Sequence, residues 1–238
     1  MGIALDALRG ERVMKRFRMG LFGAALAMML VACQVKAAEA AKPADANKDA
    51  AAAPAADKDG WIPLIKGNTL DGWTKHGKAE WKNENGVIIG TSPDGQGHLY
   101  ADPVLTDLEV KGTFRITNQG KTPNSGLYFR ANPPKDKPDD FPQGYEAQIF
   151  NGTDAYTGWL WKPGKPTGKA TKLLTKDGEW FTMRVKAVGK KITIWVNDEE
   201  VMNYEDEEYK TGHFAIQCHN DQMMVEAKDL AYKDLSKK

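Results

Sequence analysis

The chain has 238 residues and nearly balanced charge, with 33 lysines and arginines against 32 aspartates and glutamates and a formal net charge of +1. It contains no stripe of lysine and arginine of the kind that nucleic acid requires, which argues against a nucleic-acid-binding function. Of the two cysteines, only Cys218 lies outside the leader predicted below, so the folded part has no internal disulfide.

The N-terminal residues have the pattern of an export signal. Basic residues at 15–18 precede an apolar run over 19–31. This run is too short and wrongly flanked for a membrane span, whereas a charged segment before an apolar one is typical of a signal peptide.

The end of the apolar run resembles a bacterial lipobox. Its last letters are LVAC, ending at Cys33. In such a motif cleavage before the cysteine accompanies acylation of its thiol, so residues 1–33 are predicted to be a signal peptide and Cys33 the lipidation site. The protein is then anchored to the periplasmic side of a bacterial membrane. Alternatively, cleavage near 35–37 releases a soluble periplasmic or secreted protein and discards Cys33.

A tether and one domain follow the signal. Residues 34–58 are almost entirely Ala, Lys, Asp, Pro and Glu, a composition that cannot bury enough apolar area to fold. Residues 59–238 hold all seven tryptophans and all seven tyrosines. Their length fits one domain with a full-sized core.

The domain reads as β-structure, and signals for helices are nearly absent. Apolar and polar residues alternate over 108–116, which predicts a half-buried strand. The same alternation over 181–187, a turn at 189–191 and the run 192–196 predict a hairpin. Many short strands separated by Gly, Asn and Pro predict an antiparallel sandwich or barrel.

Two strands carry polar side chains that we expect on one face. In the run NSGLYFR, Tyr128 and Arg130 alternate with apolar residues, and in GYEAQI, Glu146 and Gln148 do the same. If these strands are neighbours, the four side chains share one surface. Burying so many polar groups would cost free energy, so we expect this surface to be open to solvent and to bind a ligand. We place the function there. The simpler alternative is that Arg130 and Glu146 form only a supporting cross-strand ion pair.

Two loops leave these strands and are expected to form the rim of the surface. Residues 132–138 are rich in proline, and 161–171 contain two prolines and two glycines. Trp159 and Trp161 share one face of their run and either stack on sugar rings or belong to the core. The acidic run 205–208 reads as a solvated turn.

Several motifs, in order, resemble the 3-keto-disaccharide hydrolase family, and the resemblance covers nearly everything from Trp61 to Leu235. The motifs are GNTLDGW (67–73), NSGLYFR (124–130), GYEAQI (144–149), TG (157–158), GEW (178–180), WVND (195–198) and IQCH (216–219). The chain departs from the family's pattern at Cys218, where an acidic residue is common, and at 159–161, where Trp-Leu-Trp enlarges the expected aromatic wall.

The resemblance implies an all-β fold, a concanavalin-like jelly roll of two curved antiparallel sheets. It also implies an enzyme that cleaves 3-keto-glycosides by elimination across C1 and C2 followed by hydration. Some members depend on a divalent metal, which would be the one cofactor. On the predicted surface, we expect the substrate to contact Tyr128, Gln148, Trp159, Trp161 and Gln217.

The chemistry of a 3-keto sugar calls for a base and a group that stabilises an oxyanion. Glu146 or His219 is a candidate base, and Arg130 or a bound cation would hold the enolate oxygen. Because Arg130 beside Glu146 would lower the pKa of that carboxyl, the sequence favours His219 as the base. Glu146 and His219 together are compatible with a divalent metal site.

Two rival functions stay open. A lectin-like carbohydrate-binding module would use the same fold and surface without catalysis. A structural envelope protein would explain the signal and tether but would leave Arg130, Glu146 and His219 without a purpose. An ordinary glucanase is disfavoured, because we find no second carboxylate on the predicted surface.

Overall fold

A computed structural model describes residues 55–118 and 122–236. The signal peptide, most of the tether and the lipidation site Cys33 lie outside the described residues, so those assignments stay predictions. Within the described part, no helix is long and apolar enough to cross a membrane.

The fold consists of two antiparallel sheets packed face to face. In chain order the strands are β1 (Ile62–Pro63), β2 (Trp73–Gly77), β3 (Glu80–Glu84), β4 (Val87–Thr91), β5 (Gly97–Ala101), β6 (Leu108–Asn118), β7 (Asn124–Asn132), β8 (Gln143–Phe150), β9 (Leu160–Lys162), β10 (Lys165–Gly168), β11 (Phe181–Val188), β12 (Lys191–Val196), β13 (Glu199–Glu205), β14 (His213–Cys218) and β15 (Met223–Asp234).

The first sheet has the order β13-β12-β11-β6-β15-β4-β3, with β1 beside β15, and the second sheet has the order β10-β9-β8-β7-β14-β5-β2. The all-β sandwich predicted from the sequence is confirmed. The predicted hairpin is β11 with β12, paired from Met183 opposite Val196 to Val188 opposite Lys191. The predicted loop 161–171 is in part a hairpin, because β9 pairs with β10.

The core lies between the sheets and follows the period-two pattern of the strands. On β6, Phe114 and Ile116 are buried, and on β7, Leu127 and Phe129 are buried facing them from the second sheet. Burial of such side chains contributes about 1.5–3 kcal/mol each. Since Cys218 is buried and free, the described part of the chain holds its two sheets together without a disulfide.

A bulge in β7 changes the predicted face of Arg130. Residues 128 and 131 of β7 pair with 215 and 213 of β14, so β7 contains one residue more than its neighbour. Arg130 adopts a φ of 48°, and Ala131 takes the next place beside Tyr128 on the outer face. The prediction that Arg130 shares a face with Tyr128 and Glu146 is therefore wrong, because an extra residue inverts the alternation beyond it.

Arg130 is instead a buried link between the two sheets. Its side chain donates hydrogen bonds to the carbonyl oxygens of Thr106 at 2.7 Å and Gly189 at 2.9 Å, and it pairs with Asp107 at 3.3 Å. Thr106 and Asp107 precede β6, and Gly189 lies in the β11–β12 turn. The guanidinium thus joins β7 to two segments of the first sheet.

Truncating Arg130 should destabilise the protein without changing the outer face of the second sheet. We expect Arg130→Ala to lower the free energy of unfolding by about 3–5 kcal/mol, because Asp107 loses its buried partner. Denaturant unfolding measures this change. The matched variant Arg184→Ala removes an arginine whose side chain is about one-third exposed, so it should cost much less. Equal losses for the two variants would contradict this role for Arg130.

Candidate functional site

A row of polar side chains crosses four neighbouring strands on the outer face of the second sheet. Glu146 on β8 stands opposite Tyr128 on β7, and Gln217 on β14 stands opposite His98 on β5. Tyr128 pairs with Ala215, two residues before Gln217 and on the same face. We call Glu146, Tyr128, Gln217 and His98 the polar row.

Hydrogen bonds connect the polar row from end to end. The Tyr128 hydroxyl donates to Glu146 Oε2 at 2.9 Å and accepts from Gln217 Nε2 at 3.1 Å. Gln217 Nε2 also lies 3.4 Å from His98 Nε2. The four side chains are therefore held in one arrangement before any ligand arrives.

The carboxyl of Glu146 has a strongly raised pKa. It is 9% exposed, and burial raises its pKa to about 8, although the hydrogen bond from Tyr128 acts in the opposite direction. Its Oε1 atom is buried without a hydrogen-bond partner among the residues that the structure describes. A carboxyl with a pKa near neutrality and a free oxygen is suited to accepting or donating a proton.

Gly126 makes room for this carboxylate. A Cβ at position 126 would lie 2.1 Å from Glu146 Oε1 and 2.6 Å from its Cγ. Only a residue without a side chain leaves Glu146 in its place over β7. The glycine in the NSGLYFR motif therefore has a steric cause.

A cleft of about 1000 Å³ opens over the polar row except for its last member, His98. Its floor includes Tyr128, Glu146 and Gln217. One wall is the β7–β8 loop, residues 133–142, and the other includes 154–155 and the β9–β10 hairpin around 161–164. The prediction that the two long loops rim the polar surface is confirmed.

The structure brings most of the predicted site residues to the cleft and removes two. Those that line it are Tyr128, Glu146, Gln148, Trp161, Gln217 and His219. Arg130 does not, because it bonds to the first sheet. Trp159 is buried in the core and packs edge-on against Tyr156, so the core alternative holds for Trp159 and the sugar-stacking one is wrong. Trp161 stands opposite Glu146 across the β8–β9 pair.

His219 lies at the side of the cleft rather than in the polar row. Its ring packs edge-on against Phe141 at 5.4 Å between centroids, and burial lowers its pKa. The reason for preferring His219 as the base was the proximity of Arg130 to Glu146. Since Arg130 is elsewhere, that reason no longer applies.

The donor set does not complete a metal site. Among residues 55–118 and 122–236, no group of three or more His, Cys, Asp or Glu side chains is placed to hold an ion. Glu146 offers one unpartnered oxygen and His219 one ring, and typical protein metal sites need more ligands than these two. We therefore derive no step through a metal.

Four contributors to the site were missed in the sequence. His98 and Tyr100 alternate with buried Leu99 in β5, and this period-two signal could have placed both on the polar face. Phe141 lies in a loop, where no periodicity exists. Lys162 lines the cleft and pairs with Asp206 at 2.7 Å and with Glu208.

The Lys162 pairs correct the reading of 205–208 as a solvated turn. Asp206 also accepts a hydrogen bond from Tyr145. This cluster attaches the β9–β10 hairpin to the end of β13, and thereby fixes one wall of the cleft.

The chain matches a known protein family and is similar to several solved structures. A family model described as a 3-keto-alpha-glucoside-1,2-lyase-like domain matches residues 60–236. No curated protein matches the chain. A putative glycosyl hydrolase from Parabacteroides distasonis is similar in structure, with a TM-score of 0.58 and 20% identity, over 74% of this chain and 94% of that one.

Two further solved structures share the fold. A carbohydrate-binding module from Bacillus subtilis has a TM-score of 0.57 and 17% identity, over 72% of this chain and 99% of its own. A protein of unknown function with a galectin-like fold, also from Bacillus subtilis, has a TM-score of 0.56 and 10% identity, over 73% and 94%. At these identities the similarity shows the fold alone, and it confirms the predicted lectin-like jelly roll.

Adding a methyl group at position 126 should displace Glu146. We expect Gly126→Ala to destabilise the wild-type protein by about 1–3 kcal/mol, the usual cost of overpacking. In a Glu146→Ala background the same change should cost much less, because the atoms it would strike are gone. Denaturant unfolding of the four proteins measures the coupling. If Gly126→Ala costs the same in both backgrounds, Glu146 is not what requires the glycine.

The raised pKa of Glu146 predicts a pH-dependent loss of stability. The folded protein holds this proton more tightly than the unfolded chain, whose glutamate has a pKa of 4.5. The contribution of protonated Glu146 to the free energy of unfolding is therefore fully present below about pH 4.5. It is lost as the pH rises to about 8, by up to about 1.4 kcal/mol per pH unit.

Glu146→Gln should remove this fall, so the difference in unfolding free energy between variant and wild type should grow in favour of the variant from pH 5 to pH 8. The contributions of His98 and His219 cancel in that difference. Urea titrations at several pH values measure it. A difference that does not change with pH would contradict the buried, protonated carboxyl.

Proposed function

Since the chain belongs to the 3-keto-alpha-glucoside-1,2-lyase-like family, we propose that it cleaves 3-keto-glycosides or 3-keto-disaccharides, by elimination across C1 and C2 followed by hydration. The observation that carries the proposal is Glu146, a buried carboxyl with a pKa near 8 at the floor of a large cleft. The substrate class comes from the family, and the assignment of roles comes from the geometry.

The polar row supplies a base for the first step. A ketone at C3 acidifies the hydrogen on C2. The Glu146 carboxylate removes that proton, the electrons form the C1–C2 double bond, and the C1–O bond breaks. The departing oxygen takes up a proton from water in the open cleft. A pKa near 8 makes the buried carboxylate a stronger base than an ordinary glutamate.

Neighbours of Glu146 hold the base and provide donors. Tyr128 binds Glu146 Oε2, which leaves Oε1 for the proton of the sugar. Gln148 lines the cleft, and its amide nitrogen, which donates one hydrogen to Asn124 at 3.0 Å, has a second hydrogen for a keto or hydroxyl oxygen. The amide oxygen of Gln217 has no partner among the described residues and can accept from a sugar hydroxyl. Arg130, the sequence-based candidate for holding the enolate oxygen, cannot do so, because its guanidinium is bound to carbonyl oxygens of the first sheet.

In the second step water adds to the double bond. Its hydroxyl goes to C1, its proton passes to solvent and replaces the one that the leaving oxygen took up, and a proton returns to C2, so the net reaction is hydrolysis. Protonated Glu146 can return the proton it removed. One carboxyl thus serves in both directions.

The cleft supports this chemistry better than direct glycoside hydrolysis, which generally needs two carboxyl groups flanking the bond. The other carboxylates that line the cleft, Asp136, Asp140 and Asp154, are exposed and lie on its loops. None is in the polar row.

A non-catalytic carbohydrate-binding module is the alternative, and the structural similarity to such a module supports it. The two functions differ in what they require of Glu146. A binding module needs a hydrogen-bonding side chain there, whereas the enzyme needs a group that accepts a proton. The location in the cell envelope, with a lipid on Cys33, stays part of the proposal.

Replacing Glu146 separates catalysis from binding. We expect Glu146→Gln to lower turnover of a 3-keto-glucoside by at least about 100-fold, the usual contribution of a general base, while substrate binding changes little. Release of the aglycone and isothermal titration measure the two quantities. Glu80→Gln, an exposed change on the first sheet, is the matched control and should leave both unaltered.

The pH profile then identifies the base. If Glu146 removes the proton, kcat/KM should rise with pH and level off above an apparent pKa near 8. If His219 does so, the apparent pKa should lie below the ordinary histidine value, since burial lowers its pKa. The assay is run with and without chelator, and a complete loss with chelator would assign a metal to the reaction. Sugar binding without any turnover by the wild type would favour the binding module.

A further inference from the structure

Two buried polar side chains lie beyond the end of the cleft. His98 is fully buried and Tyr100 is 3% exposed, and both are on the outer face of β5, because Leu99 and Ala101 between and after them point into the core. Within the part of the chain that the structure describes, His98 Nδ1 and Tyr100 Oη have no hydrogen-bond partner. Buried polar groups are nearly always paired, so two neighbours without partners indicate a surface that binds something.

We propose that His98 and Tyr100 form a second carbohydrate subsite, which becomes accessible when Phe141 moves off His98 and which takes the leaving-group ring of a disaccharide. This inference rests on the proposed function and deepens it. It concerns the ring that is expelled, whereas Glu146 acts on the ring that carries the ketone.

The position of the pair fits a second ring. At the backbone the polar row crosses from β8 through β7 and β14 to β5, which is three strand spacings or about 14 Å. The side chains lean together above the sheet, because hydrogen-bond contacts of 2.9, 3.1 and 3.4 Å join Glu146 Oε2 to His98 Nε2 through Tyr128 and Gln217. A ligand with one ring at Glu146 therefore reaches the unpartnered atoms of His98 and Tyr100, on the fourth strand of the row, only through a group attached to that ring, as in a disaccharide.

Phe141 separates His98 from the present cleft, and Tyr100 lies behind His98 against the rings of His76 and His213. The cleft ends on this side at Phe141 and His219. The Phe141 ring packs edge-on against His98 at 6.0 Å and against His219 at 5.4 Å between centroids, and it is still 37% exposed. Because a phenylalanine side chain makes no hydrogen bond, displacing this ring breaks only its edge contacts and apolar packing, and ligand binding has to offset that cost.

The loop that carries Phe141 has few attachments to the sheet. Its residues 135–141 are exposed. Asp139 accepts a hydrogen bond from the Gly77 backbone at 2.9 Å and lies 3.7 Å from His76 Nδ1. These contacts hold the loop near β2, and neither of them involves the Phe141 side chain.

The chemistry of the pair suits sugar hydroxyls, which both donate and accept. Burial lowers the pKa of His98 to about 3, so its ring is neutral. Nε2 then faces the Gln217 amide as an acceptor, and Nδ1 carries a proton to donate. Tyr100 adds a neutral hydroxyl, because burial raises its pKa.

The test compares ligands of one and two rings. Isothermal titration is done in the Glu146→Gln background, which binds without turnover, with 3-keto-trehalose and with methyl 3-keto-α-glucoside. Adding Tyr100→Phe, which removes only the hydroxyl, should weaken binding of the disaccharide by about 3- to 10-fold and leave the monosaccharide unchanged. The matched control is Tyr204→Phe on β13 of the first sheet, which should change neither affinity.

Two further measurements test the roles of the Phe141 ring and the His98 imidazole. Phe141→Ala should tighten binding of the disaccharide alone, because no ring has to be displaced. The ¹⁵N resonance of His98 Nδ1 should shift on addition of the disaccharide and not of the methyl glycoside.

An unchanged disaccharide affinity in Tyr100→Phe overturns the subsite, and so does an equal loss for both ligands, which indicates a general change in the fold. In either case the proposed function stands if the monosaccharide binds. If neither ligand binds the Glu146→Gln protein, both proposals fail.

Discussion

One additional residue in β7 determines which side chains reach the cleft. The bulge at Arg130 divides the strand into two stretches with opposite alternation. Before it, Tyr128 faces outward beside Glu146; after it, Ala131 does. Arg130 is directed to the first sheet, where it bonds to the segment before β6 and to the β11–β12 turn. Without the bulge, a guanidinium would stand next to the carboxyl of Glu146 and would keep it ionised.

The removal of that cation explains the electrostatics of the site. Burial is the largest effect on Glu146, and the hydrogen bond from Tyr128 is the one opposing effect that the site supplies. The protein accepts the cost of a buried carboxyl because the acidic group is neutral over much of the pH range. Gly126 maintains this state, since any larger side chain would push the carboxylate out of its place.

The sequence predicted the architecture well and the site in part. Alternation over 108–116 and 181–187 is a local signal that survives in the fold as β6 and β11, and Tyr128 and Glu146 were correctly placed as neighbours. A bulge has no such signal, because the extra residue is defined by the pairing with β14 and not by β7 itself. For the same reason Arg130 was misplaced.

Other errors came from contacts between distant parts of the chain. Trp159 and Trp161 are two residues apart, so strand alternation alone predicts the same environment for both. In the structure Trp159 is in the core and Trp161 lines the cleft. Asp206 looks solvated in a run of acids, but it meets Lys162 and Tyr145 from other strands. Such partners depend on the strand order, which periodicity does not contain.

The pairing of β1 with β15 has a practical consequence. Ile62 lies opposite Tyr232, so the chain enters and leaves the domain side by side in the first sheet. The cleft opens on the outer face of the second sheet, across the whole thickness of the sandwich. An affinity tag or a surface for immobilisation attached close to residue 62 or residue 232 therefore joins the domain at its first sheet and leaves the mouth of the cleft unobstructed.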